Sequence, residues 1–312
     1  MAKKLLGIDI GTGCIKLVDG EHCVVLDTPD NVFDGDTFIA YDGMSEVIRD
    51  ALKENGIRTK KCAIVLPDNE IYFNKITMPF MTEKQLRVNL PYEFTNVVGN
   101  DSDSYLYDYA LIRYITDASG SPKDMELLVA ACTKKLIDKY SEMCKKAGLK
   151  LVKALPRRLA ISSILTEKHG DIALVELGYN HTRIDMYHDG MYDTGRSIDV
   201  GVSHLLDIVS EVLFCDKHIA LSYLKNNKDD VVHHAKMQDS YDYIATEIMR
   251  AINFYTYENR ENTLESLFFY GGGYHIEPLV QSIRDAVSLN VSPISSDEDV
   301  MNALVAYGAC EE

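Results

Sequence analysis

The chain has 312 residues, of which 32 are Lys or Arg and 48 are Asp or Glu, so the formal net charge is −16. Hydrophobic residues make up 46% and charged residues 26% of the sequence, values typical of a globular protein rather than a disordered or coiled-coil chain. A negative charge of this size repels nucleic acid and anionic membrane surfaces, so neither is expected as a general partner. The length predicts about two domains.

The sequence carries no sign of a targeting or membrane-spanning segment. No apolar run approaches the ~18 to 20 residues that cross a bilayer, and the first residues lack the apolar core of a signal peptide. The seven cysteines are scattered and never in Cys-x-x-Cys spacing, which favours neither a disulfide framework nor a zinc site. We therefore expect a cytoplasmic protein without direct membrane insertion.

The first half of the sequence is predicted to hold a hairpin, a helix and an α/β module. Residues 4–26 alternate apolar and polar side chains around a glycine-containing turn, as paired strands do. Residues 45–55 place apolar residues at helical spacing, and Gly56 follows as a C-cap. From residue 60 to residue 147, the order strand, strand, helix, strand, strand, helix predicts a compact module of its own.

The second half repeats the opening pattern and then becomes mainly helical. When Asp9 is set over Glu176, Gly11 falls over Gly178 and Lys16 over Arg183. This is a weak internal duplication of a strand-turn-strand unit. Helices are then predicted at residues 203–214, 241–258, 278–288 and 297–309, with a strand at residues 266–270.

The first glycine-containing turn could bind a phosphate group. Gly11 and Gly13 let backbone N–H groups approach a phosphate, Thr12 adds a hydroxyl, and Lys16 adds a positive charge. Asp9, at the strand end, could orient the water shell of a Mg²⁺ ion. The alternative for this segment is a tight hairpin with a surface lysine.

Two later turns could belong to the same site. Glu176 and Gly178 offer a second acidic group and a second turn, or simply the end of a strand. The run Gly271-Gly272-Gly273 follows an apolar strand, where it permits either close approach of a flat ligand or a tight strand-to-helix turn. The three turns in this order are far more specific than any one of them.

These motifs resemble those of the actin-like ATPase superfamily, which includes actin, the heat-shock chaperone ATPases and the sugar kinases. The segment from Asp9 to Lys16 resembles its first phosphate motif, Glu176 to Thr182 its second, and Tyr270 to Gly273 its adenosine motif. Over nearly the whole chain the sequence is similar to the PilM family of type IV pilus assembly proteins, relatives of the division protein FtsA. The segment from Ile76 to Glu83 carries that family's Met-Pro-x-Met step before a helix.

The resemblance implies a two-lobed α/β fold, the actin-like ATPase (ribonuclease H-like) fold, with an inserted α/β module. Residues 1–58 and 297–312 would form the first lobe. Residues 59–158 would form the inserted, partner-binding module. Residues 159–296 would form the second lobe, with a helical subdomain near residues 205–262.

The resemblance also implies that ATP and Mg²⁺ bind between the lobes, with Asp9 organising the metal through water. The implied nucleotide contacts are Asp9, Gly11, Thr12, Gly13, Lys16, Glu176, Gly178, Thr182, Gly271, Gly272 and Gly273. Glu247 and Arg250 lie three apart on one predicted helix and resemble the family's ribose and adenine contacts. The alternative for this pair is an i, i+3 ion pair on the helix surface.

Several residues depart from the family pattern. Glu176 stands where the second phosphate motif usually has Asp, and Tyr179, Asn180 and His181 replace small residues and would crowd the phosphates. The sequence offers no residue that we would assign as a base activating water. Nucleotide binding is therefore better supported than hydrolysis, and no catalytic residue is assigned.

The function that the resemblance implies is a nucleotide-binding cytoplasmic scaffold of a type IV pilus or related secretion machine. In the PilM family the inserted module grips the cytoplasmic N-terminal peptide of the membrane protein PilN. We therefore expect residues 59–158 to bind a PilN-like inner-membrane protein, which would recruit the chain to the inner face of the cell membrane. The alternatives are a scaffold that has lost ATP binding and a small-molecule kinase of the same superfamily, and self-association stays open.

A basic stretch interrupts the acidic sequence. Between Lys134 and Arg158 there are nine Lys or Arg residues against two acids, Asp138 and Glu142. The stretch is either a solvated face or a docking surface for an acidic partner or for the inner membrane leaflet.

Overall fold

Strands and helices alternate along the computed structural model, which describes residues 5–99, 101–165, 169–259 and 263–311. The strands are β1 (Leu6–Ile10), β2 (Cys14–Val18), β3 (Cys23–Asp27), β4 (Phe33–Asp34), β5 (Thr37–Phe38), β6 (Lys61–Leu66), β7 (Tyr72–Pro79), β8 (Tyr105–Thr116), β9 (Pro122–Thr133), β10 (Lys150–Pro156), β11 (Asp171–Leu177), β12 (Thr182–His188), β13 (Met191–Ile198), β14 (Ser266–Tyr270) and β15 (Asn290–Pro293). The helices are α1 (Tyr41–Glu54), α2 (Glu83–Glu93), α3 (Thr95–Val98), α4 (Lys134–Lys146), α5 (Arg157–Ile164), α6 (Val202–Leu213), α7 (Lys217–Lys225), α8 (Ala235–Glu258), α9 (Glu277–Ala286) and α10 (Glu298–Cys310). Within the described ranges, none of these helices is both long and apolar enough to cross a bilayer.

The first lobe is built on a five-stranded sheet in the order β10-β6-β1-β2-β3. β1, β2 and β3 pair antiparallel, whereas β6 and β10 run parallel to β1. Because side chains alternate along a strand, Leu6 and Ile8 point into the core formed with α1 and α4, and Gly7 faces α10. A Cβ on Gly7 would lie 2.0 Å from the Ala306 carbonyl oxygen, so the glycine lets α10 approach the sheet.

The second lobe repeats this design with the order β13-β12-β11-β14-β15. Its first three strands are again antiparallel, and β14 and β15 are parallel to β11. Asp9 is paired with Lys16 across β1 and β2, and Glu176 is paired with Arg183 across β11 and β12. The register therefore confirms the internal duplication predicted from the sequence.

A separate antiparallel sheet, in the order β7-β9-β8, lies between the two halves of the first lobe's sequence. One face carries α2, whose Leu86 and Leu90 are buried against Met125 and Leu127 of β9. The helix begins with a capping box in which the Thr82 hydroxyl accepts from the Gln85 N–H, which satisfies backbone donors at the helix start.

The opposite face of this sheet packs toward the second lobe. Leu128 belongs to the second lobe's core, and Phe73, Ala110 and Ile112 pack against it. The β7-β9-β8 sheet is therefore held between α2 and the second lobe.

The predicted limits of the inserted module, residues 59 and 158, differ from the structure. β6 and β10 are hydrogen-bonded into the first sheet, and α4 packs in the first lobe's core. Only β7 to β9 form the separate sheet, which spans residues 72–133 and which we call the 72–133 module. The discrepancy arises because periodicity identifies a strand but not its partner in a sheet.

The last helix belongs to both lobes. Ala306 packs on β2 next to Val18 of the first lobe, whereas Met301 and Leu304 lie in the core of the second lobe. We therefore treat α10, whose residues were expected to belong to the first lobe, as a connection between the lobes.

Candidate functional site

The first and second phosphate motifs form turns of matching geometry. In the first, the Gly11 N–H donates to the Cys14 carbonyl at 3.0 Å, and the Lys16 ammonium donates to Asp9 Oδ2 at 3.0 Å. In the second, the Gly178 N–H donates to the His181 carbonyl at 3.1 Å. Each turn thus ends with an acid–base pair across its two strands, the second pair being Glu176 and Arg183 at 3.1 Å.

The two turns contact each other directly. The Tyr179 side chain lies on Gly13, where an added Cβ would be 2.6 Å from Tyr179 Cγ. His181 Nε2 lies 2.9 Å from Asp36 Oδ2, and Asn180 donates to Asp36 Oδ1 at 3.3 Å. The residues that depart from the family pattern therefore fill the space above the first turn and tie the second lobe to the first.

A buried arginine, Arg157, contacts segments of both lobes. Arg157, at the start of α5, donates to Asp185 Oδ2 at 2.6 Å and to the Tyr270 hydroxyl at 3.1 Å. Its guanidinium is also 3.3 Å from Glu176 Oε2 and 3.4 Å from Asp68 Oδ2. Arg157 thus joins the two motifs of the second lobe to the turn that precedes β7.

Glu176 is held as a carboxylate by this network. Burial by itself raises the pKa of a carboxyl group, but the charges of Arg183, Arg157 and Lys16 outweigh it and lower the pKa of Glu176 below its ordinary value. Lys16 is the counterpart in the first lobe. Burial lowers the pKa of its ammonium, and the Asp9 and Glu176 carboxylates raise it above its ordinary value.

The adenosine motif follows β14 at the same end of the second lobe's sheet as the second phosphate turn, since Tyr270 is paired with Glu176 across two parallel strands. Gly271 has φ +94°, and an added Cβ would lie 2.9 Å from the Leu177 carbonyl oxygen, so both its conformation and its surroundings require glycine. Gly273 also packs against Leu177, whereas no described atom lies within 4 Å of a Cβ built on Gly272. Of the three glycines, Gly272 faces open space.

Gly272 borders a cavity of about 1080 Å³ in the second lobe. The cavity lies between α7, the start of α8 and α9, and its walls include apolar and polar side chains. Among those lining it are Leu224, Lys225, Val232, Gln238, His275 and Ser282. Its size and mixed lining suit a small organic ligand.

Three residues predicted to contact the nucleotide, Glu247, Arg250 and Thr182, interact with other parts of the chain instead. Glu247 and Arg250 lie outside the lining of this cavity, in which α8 is represented by Gln238. Glu247 is buried, pairs with Arg250 and lies 3.5 Å from Arg196 of β13. The Thr182 hydroxyl is also buried and donates to the Val200 carbonyl at 2.9 Å.

The site has room for the nucleoside end of Mg-ATP but not for its phosphate end. The cavity beside Gly272 has room for a nucleoside, but the phosphate end does not fit because Tyr179 covers Gly13. Lys16 and Glu176, the charges expected to serve phosphate and metal, are already paired with the chain's own side chains. Among the residues the structure describes, no group of three or more His, Cys, Asp or Glu side chains is arranged to hold a metal ion.

Sequence reasoning missed three residues of the ion network, Arg157, Asp185 and Asp68. A signal for Arg157 was present, because Arg157 and Arg158 end the basic stretch from Lys134 to Arg158 that the sequence shows. Asp185 also lies within an apolar strand, between Ile184 and Met186, which are both buried. A charged residue at such a position requires a partner.

A family model described as type IV pilus assembly protein PilM matches residues 7–301, which is most of the chain. The chain belongs to the PilM family. This membership confirms the family resemblance inferred from the motifs. A comparison with curated protein sequences gives no match.

Solved structures show the same fold. A chain of the PilM-PilN type IV pilus biogenesis complex aligns with a TM-score of 0.80 and 17% identity, covering 98% of this chain and 97% of that chain. The ethanolamine utilization protein EutJ from Carboxydothermus hydrogenoformans gives 0.61 and 14%, covering 98% and 88%. The archaeal actin homolog Ta0583 gives 0.52 and 12%, covering 98% and 97%. These likenesses confirm the predicted actin-like ATPase fold class.

Proposed function

We propose that this PilM-family chain is an assembly scaffold of a type IV pilus or related secretion machine. Its partner would be the cytoplasmic N-terminal peptide of a PilN-like inner-membrane protein, which would hold the scaffold at the inner face of the membrane. The observation that carries the proposal is the family match over residues 7–301. The structural likeness to a PilM-PilN complex supports it at the level of fold.

The 72–133 module offers an open sheet edge to such a peptide. β8 is twelve residues long and pairs with β9 on one side, and no other described strand pairs with its outer edge. Leu106, Leu111 and Tyr114 of this strand are 43%, 40% and 51% exposed. An exposed edge with apolar side chains is a typical template for an added strand.

The opposite edge strand of the module is less accessible. The Phe73 ring of β7 lies 5.6 Å from the Tyr192 ring of β13, and Lys75 pairs with Asp193. The second lobe therefore contacts β7 through an aromatic pair and an ion pair. Ala110 and Ile112 of β8 also pack toward that lobe, but Leu106, Leu111 and Tyr114 stay exposed, so β8 is the edge at which we place the peptide.

A peptide titration tests this placement. A fluorescent peptide with the sequence of the cytoplasmic N-terminus of the PilN-like protein from the same genome would be titrated with the full chain, and its anisotropy measured. We expect saturable binding that the paired substitutions Leu106→Glu and Leu111→Glu weaken by about tenfold or more, because buried apolar anchors dominate interface energies.

The matched control is Val88→Glu, which adds a charge at a 63% exposed position on α2 and should leave the affinity unchanged. Binding that is unaffected by the β8 substitutions would contradict the proposed edge. The absence of any binding by the wild-type chain would contradict the partner.

We further propose that the scaffold works without Mg-ATP in its cleft. The proposal is supported by Tyr179 on Gly13 and by the pairing of Glu176 with two arginines. The second candidate is the nucleotide-binding scaffold expected from the family, which the cavity beside Gly272 favours. A small-molecule kinase is less supported, because the cleft carboxylates Asp9 and Glu176 are both paired.

Calorimetric titration of the full chain with ATP and Mg²⁺ separates these candidates. We expect no heat of binding at millimolar nucleotide. Binding abolished by Asp9→Ala and by Gly272→Asp would establish the nucleotide-dependent scaffold instead. The peptide titration, repeated with and without ATP, should give the same affinity if the first candidate is correct.

A further inference from the structure

Basic residues converge at the end of the first sheet where β6 and β10 begin. Lys61 of β6 is paired with Lys150 of β10, and the Lys150 N–H donates to the Lys60 carbonyl at 2.8 Å. We call this surface the basic end face. Its members are Arg58, Lys60, Lys61, Lys145 and Lys150.

The chain path explains why Lys145 belongs to this group. α4 ends at Lys146, and the Leu149 N–H donates back to the Cys144 carbonyl at 2.9 Å. Only a few residues therefore separate the end of α4 from the start of β10, and the turn keeps the two close together. Neighbouring strands are about 4.8 Å apart, so the lysines of β6 and β10 lie side by side.

The cations of the basic end face are not neutralised by the chain. Arg58, Lys60, Lys145 and Lys150 are exposed, and Lys61 is half-buried. Within the described residues none of the five makes an ion pair; the neighbouring Lys146, by contrast, pairs with Asp42 and Glu142.

A carboxylate that contacts the neighbouring Thr59, that of Asp19, is also engaged. Asp19 is buried and accepts hydrogen bonds from Thr59 and from His22. Charges more than about 8 Å away are largely screened at physiological ionic strength. Since none of its five cations makes an ion pair within the described residues, we expect the basic end face to be positive locally, although the whole chain carries a charge of −16.

We propose that the basic end face docks on the anionic phospholipid headgroups of a membrane surface. Four of its five members are lysines, which act as hydrated point charges suited to many headgroups, whereas bidentate recognition of a single carboxylate favours arginine. Each Lys or Arg held near an anionic leaflet raises the affinity for that leaflet about fivefold. The inference rests on the proposed function in one respect, that the scaffold works beside a membrane.

Vesicle flotation of the full chain without any peptide partner tests the proposal. The probes are vesicles of phosphatidylcholine alone and vesicles rich in phosphatidylglycerol. We expect binding to the anionic vesicles only, lost at high salt, and weakened about 25-fold by the pair Lys60→Gln and Lys150→Gln. Because both side chains are exposed, thermal unfolding should be unchanged.

The matched control is the pair Lys84→Gln and Lys123→Gln, which removes the same charge from exposed positions of the 72–133 module and should bind as the wild type does. Equal weakening by both pairs would overturn the proposal, since net charge alone would then explain binding. No wild-type binding would also overturn it, as would a basic end face that binds a polyglutamate peptide or RNA but no vesicles. None of these outcomes bears on the peptide titration.

Discussion

Single residues at the two turns decide what the cleft can hold. Asp9 and Glu176 occupy equivalent register positions, yet they have different partners. Among the described residues Asp9 pairs with Lys16, whereas Glu176, one methylene longer, reaches both Arg157 and Arg183. The second acidic group is thereby committed to an internal ion network.

The pH dependence of the free energy of unfolding measures how strongly the arginines stabilise the Glu176 carboxylate. The pKa of folded Glu176 is below its ordinary value, so the carboxylate stabilises the fold above the unfolded pKa of about 4.3, and this stabilisation disappears as the pH falls through the lower folded value. Glu176→Gln should cost about 3 kcal/mol at neutral pH. Urea unfolding over a pH series should show the difference from wild type narrowing in acid.

The comparison variant is Glu83→Gln, which removes an exposed ion pair with Arg87 and should leave the free energy of unfolding nearly unchanged at every pH. A cost for Glu176→Gln that stays constant into acid would show that its carboxylate is not stabilised by the arginines.

At the scale of elements, close helix packing depends on glycine. An added Cβ on Gly308 of α10 would lie 1.8 Å from the Ala160 carbonyl oxygen of α5. Because the obstacle is backbone, a side chain there cannot be accommodated by a rotamer change. The crossing of α10 and α5 is therefore specified by one missing methyl group.

Two glycine-to-alanine substitutions should have opposite effects. Gly308→Ala should reduce the free energy of unfolding by about 3 kcal/mol through overpacking. Gly43→Ala, in α1, meets no described atom within 4 Å and should raise that free energy by up to about 1 kcal/mol, since alanine favours helix. Urea denaturation of the two variants checks both signs, and a neutral Gly308→Ala would contradict the close approach.

At the scale of the whole molecule, few side chains join many segments. Arg157 follows β10 of the first sheet and bonds to Asp185 and Tyr270 of the second. Arg158 lies beside it, with its guanidinium 4.8 Å from the Tyr192 ring centroid. This junction connects both lobes and the base of the 72–133 module.

Removal of Arg157 should therefore affect the cooperativity of unfolding. Arg157→Ala leaves Asp185 buried without its main partner, which should cost about 3 to 5 kcal/mol, and the single calorimetric transition expected of the wild type should separate into two. Arg49→Ala, at an exposed pair with Asp50, should leave the transition unchanged. A single transition at the wild-type temperature in Arg157→Ala would argue against this junction.

Much of the fold could be predicted because its signals are local. The alternation of residues 4–26 and the alignment of Asp9 with Glu176 can be read from short stretches of sequence. The register of β1 with β2 and of β11 with β12 agrees with both patterns. The separate sheet is narrower than the predicted module, because strand partners are distant in sequence. β6 joins β1 across about fifty residues, and β10 joins β6 across about ninety.

By itself the sequence determined the family, the fold class and the three glycine turns, because motif spacing and periodicity are properties of the linear chain. Only the tertiary structure decided what surrounds those turns. It placed Tyr179 on Gly13 and surrounded Glu176 with Arg157 and Arg183. Contacts between residues far apart in the chain are made by packing in three dimensions, and no local pattern records them.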